Sequence, residues 1–139
     1  MPQSVREIMN TGLVCVPPDA SLVDAAREMR DKGIGDVLVV EDGRLRGILT
    51  DRDIVVRCVA EDKPLRDTKV GEACSENVSC LKPDDDADRA VEMMRAMAVR
   101  RLPVCEDDRP VGVLSLGDLA RERDPHSALA DISSAPRNT

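Results

Sequence analysis

At 139 residues and 42% hydrophobic content, the chain is one domain or two small halves sharing a core, since units of about sixty residues bury too little apolar surface to stand comfortably alone. It has no Phe, Trp or Tyr and a formal net charge of −7; an aliphatic core follows, and a basic, base-stacking nucleic-acid surface is excluded. No apolar run approaches the roughly twenty residues of a membrane helix, and the first eleven residues lack the charged start and apolar stretch of a signal peptide, so a cytoplasmic protein without membrane attachment is expected.

Residues 13–16 read as a short apolar strand, broken by Pro17-Pro18-Asp19. Ser21, with Asp24 three residues on, is placed to cap a helix carrying Leu22, Ala25, Ala26 and Met29 at helical spacing and stopping at Gly33. Residues 36–41 and 45–49 form a hairpin turned at Asp42-Gly43, and a second helix is expected over about 51–60. A polar linker with Pro64 spans 61–69. The order then recurs: a strand over 78–81, a helix over about 86–98, strands over 102–105 and 111–114, and a helix from Leu116 to about Arg123. The run Asp84-Asp85-Asp86 suits the positive end of its helix. Residues 124–139, rich in Ala, Ser and Pro, read as a flexible tail. The class is α+β, with boundaries at 1–68, 69–123 and 124–139.

The recurrence is also written residue by residue. Shifting the sequence from position 5 onto 70 brings roughly fifteen of about fifty aligned residues into coincidence without a gap, the mark of a duplicated unit. Val5-Arg6-Glu7 meets Val70-Gly71-Glu72, and Gly47-Ile48-Leu49-Thr50 meets Gly112-Val113-Leu114-Ser115. Cys15 and Cys80 also coincide. Five cysteines in a chain without an export signal read as reduced thiols, with Cys serving as a small hydrophobe; a zinc or thiol role at Cys58, Cys74 or Cys80 is the alternative.

Two segments carry chemistry. Thr50-x-x-Asp53 and Ser115-x-x-Asp118 stand where a buried strand hands over to a helix. The spacing is that of a capping box, in which hydroxyl and acid satisfy the helix start. The same geometry suits a phosphate at the helix N-terminus and ribose hydroxyls on the carboxylate, and the two readings are compatible. With His126 as the lone histidine, no Gly-rich phosphate loop and no acid–base pair placed together, no catalytic set can be assembled. The chain is not expected to be an enzyme.

A duplicated unit opening with Arg6-Glu7-Ile8-Met9, containing Arg100-Arg101-Leu102-Pro103-Val104 and ending in Gly-apolar-apolar-Thr/Ser-x-x-Asp resembles the cystathionine β-synthase (CBS) domain pair over about residues 5–123. The resemblance implies tandem repeats, each a small sheet with two packed helices, stacked with pseudo-twofold symmetry. It also implies regulation by adenine compounds such as AMP, ADP or ATP in two clefts. Carried onto this chain, one cleft comprises Ile48, Thr50 and Asp53 with Val78, Ser79, Arg100 and Arg101; the other comprises Val113, Ser115 and Asp118 with Leu13, Val14 and Asp36. Arg101 in one repeat answers to Asp36 in the other, so the first cleft is expected to hold phosphate better. Leu38 at the place of Pro103 is a further departure in the second cleft. The implied function is a non-catalytic sensor, a homodimer acting on an unidentified protein partner, with no required cofactor and no catalytic or metal-binding residues. A ligand-free stress-response or interaction module is the alternative.

Overall fold

The computed structural model describes residues 3–76, 78–124 and 126–135. In chain order the elements are α1 (Val5–Ile8), β1 (Cys15–Val16), α2 (Leu22–Lys32), β2 (Asp36–Glu41), β3 (Arg44–Thr50), α3 (Asp51–Asp53) running into a π-helical stretch (Ile54–Val59), α4 (Val70–Ala73), α5 (Ala87–Met97), β4 (Arg101–Glu106), β5 (Arg109–Ser115), α6 (Leu116–Arg123) and α7 (Ala128–Ser134). Among the described residues, no helix is long and apolar enough to cross a membrane.

The chain divides into two compact units, one of residues 13–78 and the other of residues 1–12 with 79–139. In the 13–78 unit, β1 pairs parallel with β2, and β2 pairs antiparallel with β3 through the turn at Asp42 and Gly43, both at positive φ. Ser21 accepts from the Asp24 N–H at 3.0 Å, the cap its spacing predicts, and α2 ends on Gly33 at φ 67°. The apolar stripe of α2 (Leu22, Ala25, Met29) covers Val37, Val39 and Leu49 of the sheet. In the second unit β4 and β5 form a two-stranded ladder, and Leu81, Ala90, Met94, Leu102, Val104 and Leu114 make the core. There the place of Gly33 is taken by Ala98, held at φ 55°, where a β-carbon costs about 1 kcal/mol relative to Gly.

The units do not follow the repeat boundaries at 68 and 69. The opening helix of each repeat packs with the body of the other. The Val5 and Arg6 N–H groups donate to the Asp85 and Pro83 carbonyls at 2.7 and 2.9 Å, and the Val70 and Gly71 N–H groups donate to those of Ala20 and Pro18 at 2.8 Å. Asn10 bridges Val113, and Ser75 bridges Ile48, at matching places.

Three expectations change in detail. The segment 78–81 forms no named strand among its described residues; Leu81 alone bridges β4 at Val104. The helix expected over 51–60 becomes π-helical after Asp53: the Ala60 N–H reaches back five residues to the Val55 carbonyl, and the Lys63 N–H to that of Cys58. The tail expected to be flexible contains α7, capped by Ser127 and packed on α6, with Ala130 buried and Arg121 Nη1 donating to the Ser133 carbonyl at 2.9 Å. Only a short apolar face was needed, too short for composition to reveal.

Candidate functional site

Both hydroxyl–acid motifs form complete capping boxes. Asp53 N–H donates to Thr50 Oγ1 at 3.0 Å while Thr50 N–H donates to Asp53 Oδ2 at 2.9 Å; the corresponding distances at Ser115 and Asp118 are 3.1 and 2.9 Å. One carboxylate oxygen of each acid is therefore committed to the backbone. The other, Oδ1, faces an arginine: Arg57 Nε lies 3.6 Å from Asp53 and Arg121 Nη2 pairs with Asp118. Asp53 and Asp118 are largely buried. The capping reading is correct, and the second oxygen of each acid is turned toward an arginine.

Register sets what stands beside each motif. Asp36 is the ladder partner of Thr50, and Arg101 is the ladder partner of Ser115. The residue before each closes the start of the following helix, Gly35 O accepting from Asp51 N–H at 2.9 Å and Arg100 O from Leu116 N–H at 2.8 Å. Ile48 and Val113 occupy equivalent places on β3 and β5. Leu13, Val14 and Val78 belong to the unit of Thr50 and Asp53; Ser79, Arg100 and Arg101 belong to that of Ser115 and Asp118.

The two helix starts differ at one position that the motif does not show. Asp51 Oδ1 accepts from the Arg52 N–H at 2.8 Å, and the Asp51 carboxylate folds over Gly35, 3.0 Å from where a β-carbon would lie. That start is closed on itself and acidic. Its counterpart has Leu116, which has no carboxylate to offer the Gly117 N–H. Around Leu116 and Gly117 lies an open cavity of about 670 Å³, lined also by Arg100, Arg101, Ser115 and Arg121, with Leu129 and Ser133 of α7 along one side. Arg121, Leu116 and the α7 residues escaped the sequence reading. Arg121 stands one turn beyond Asp118, and the exchange of Asp51 for Leu116 was visible in the aligned repeats.

Among the described residues no three His, Cys, Asp or Glu side chains are arranged to hold a metal ion. The triple aspartate is structural: Asp86 caps α5, Asp85 accepts from the Lys82 N–H at 2.8 Å, and Asp84 lies 3.5 Å from Arg6.

Residues 5–67 and 70–124 each match the CBS domain. The CBS domain-containing protein YhcV of Bacillus subtilis is 35% identical over 134 residues, which cover 94% of this chain and 95% of that one. Hypoxic response protein 1 of Mycobacterium tuberculosis is 33% identical over 125 residues, 89% of this chain and 87% of that one. A crystal structure of hypoxic response protein I with two coordinated zinc ions matches with a TM-score of 0.79 at 33% identity, over 86% of this chain and 98% of that one. At the level of fold alone, a CBS domain pair solved in complex with 5-methylthioadenosine and S-adenosyl-L-methionine matches with a TM-score of 0.81 at 23% identity, over 91% of this chain and all of that one (100%). The chain belongs to the CBS-domain family, of which it carries the tandem pair, a regulatory and non-catalytic module.

Proposed function

We propose that the protein is an adenine-nucleotide sensor whose phosphate group is taken by Arg100, Arg101 and the start of α6. The observation that carries this reading is the basic cavity around Ser115, Leu116 and Gly117. A phosphate there meets guanidinium groups, a hydroxyl and the positive end of an eight-residue helix, α6. The equivalent place beside Thr50 presents Asp36 and Asp51, which repel it. Asp118 and Asp53 are suited to ribose hydroxyls through Oδ1, and each unit carries aliphatic or small side chains of the kind an adenine ring packs against, Leu13, Val14, Ile48 and Val78 in that of Asp53 and Ser79 and Val113 in that of Asp118.

The output is a change of conformation or of association, with a coupling of about 1–3 kcal/mol between ligand and partner being ordinary for such modules. A homodimer accords with the π-helical stretch, whose Val55, Val56 and Val59 are 57, 46 and 50% exposed while Ile54 and Cys58 are buried. A protein partner acting in trans receives the signal.

Equilibrium dialysis against AMP, ADP, ATP, S-adenosylmethionine and adenosine tests the reading, because a chain without aromatic residues leaves adenine absorbance almost free of protein background. Saturable retention of phosphorylated compounds is expected, with Asp118→Ala and Asp53→Ala reporting separately on the two acids. No retention of any compound at millimolar concentration would remove the nucleotide from the proposal.

A further inference from the structure

Away from the basic cavity, Cys105 Sγ lies 3.2 Å from Cys80 Sγ. The contact is built into the backbone. Leu81 N–H donates to the Pro103 carbonyl and Cys105 N–H donates to the Leu81 carbonyl, each at 2.9 Å, so the residue that follows Cys80 is tied to β4 by two bonds, one of them to Cys105 itself. The ladder shifts register between Val104 and Cys105, and such a bulge re-aims the side chain that follows. In the other unit the equivalent places hold Cys15 and Val40, so the same scaffold carries one thiol there and two here.

We propose that Cys80 and Cys105 are a reversible dithiol–disulfide couple oxidised by small neutral hydroperoxides. The sulfurs need to close from 3.2 Å to about 2.05 Å, a movement within reach of side-chain torsions. The two thiols are not equivalent. Cys105 is buried and its S–H donates to Cys80, which holds the Cys80 thiol below its ordinary range and drives that of Cys105 far up. Cys80 is half-buried and is therefore the attacking thiolate.

The thiolate attacks one peroxide oxygen and the O–O bond breaks; the leaving oxygen takes a proton and departs as water or alcohol, leaving a sulfenic acid on Cys80. The Cys105 sulfur then attacks the Cys80 sulfur, the S–O bond breaks, and the released hydroxide takes the Cys105 proton and leaves as water. Two thiols have lost two electrons to one peroxide. An external thiol reverses the change by exchange.

The surroundings select the oxidant. Both thiols line an open cavity of about 520 Å³ whose rim carries Asp84, Glu106, Asp107, Asp108 and Lys82, with Arg6 reaching Asp84 at 3.5 Å and Glu106 at 3.3 Å, so that four acids outweigh two cations. Such a rim repels anionic disulfides such as oxidised glutathione and leaves neutral peroxide free to enter.

Treatment with hydrogen peroxide, followed by intact-mass measurement and peptide mapping without reductant, tests the couple. Expected are a loss of about 2 Da per chain, one linked Cys80–Cys105 peptide, and full recovery on adding a phosphine reductant. Oxidised glutathione should act at least tenfold more slowly than the neutral 2-hydroxyethyl disulfide. Cys80→Ser should abolish the mass loss, and Cys105→Ser should trap a dimedone-reactive sulfenic acid at Cys80, each checked for native circular dichroism. Linkage through Cys15, Cys58 or Cys74, oxygen addition without linkage, or persistence of all five thiols would overturn the proposal.

Discussion

Gly47→Ala is expected to destabilise the protein severely, and Gly112→Ala, the same change one repeat later, to do so far less. A β-carbon on Gly47 would stand 2.4 Å from the Ser75 carbonyl oxygen and 3.1 Å from Cys74 Sγ, against a backbone held by paired Ile48 and Ser75 hydrogen bonds of 3.2 and 3.0 Å. Relief requires the segment after α4 to leave β3, surrendering both bonds. Overpacking and the loss of two hydrogen bonds together amount to about 3–4 kcal/mol. At Gly112 the nearest atom, at 2.5 Å, is Met9 Sδ, near the end of a side chain with three rotatable bonds, while the backbone oxygen of Asn10 is 3.2 Å away. About 1 kcal/mol is expected there. Thermal melts followed by circular dichroism should separate the variants by on the order of 8 °C. Equal losses, or the reverse order, would show that the crossing segment at Ser75 is not fixed against β3.

The second large effect is expected in binding. Arg101→Ala should weaken retention of AMP, ADP and ATP by about 10- to 100-fold, the range of a lost hydrogen bond to a charged group, and change adenosine by less than about threefold. Leu116→Asp should give a comparable loss by another route: it gives α6 the residue that closes α3 on itself through the Arg52 N–H, and it places a negative charge among Arg100, Arg101 and Arg121. Leu116 is 38% exposed, so the substitution spares the core. Dialysis with phosphorylated and unphosphorylated adenosine compounds measures both variants. A parallel fall for adenosine would mean that neither residue acts through phosphate.

Much of this was legible in the chain. The hairpins, the Ser21 cap and both hydroxyl–acid boxes follow from local rules that operate within a few residues, and the duplication repeats each of them. The charge reversal from Asp36 to Arg101 was equally plain. Register was not: that Arg101 faces Ser115 across a ladder, and Asp36 faces Thr50, depends on where the hairpin turns close. The grouping of Arg101 with Thr50 and Asp53 came from resemblance rather than from local pattern. The Cys80–Cys105 contact depends on a parallel bridge between segments 25 residues apart and on a bulge. Helix α7 rests on one small buried residue, Ala130, and an arginine reaching Ser133, contacts that leave no periodic trace.

The trading of opening helices gives the duplication a meaning beyond a second binding site. A single copy, residues 1–68, contains a helix that its own sheet does not use and lacks the one that its sheet requires. The α-carbon face of its Gly47 and the N–H and carbonyl of Ile48, which receive Ser75, would stand open, and the N–H groups of Val5 and Arg6 would have no Asp85 or Pro83 to meet. Two such copies satisfy each other by mutual loan. Joined in one polypeptide, the loan becomes internal, and folding no longer depends on the concentration at which two molecules meet.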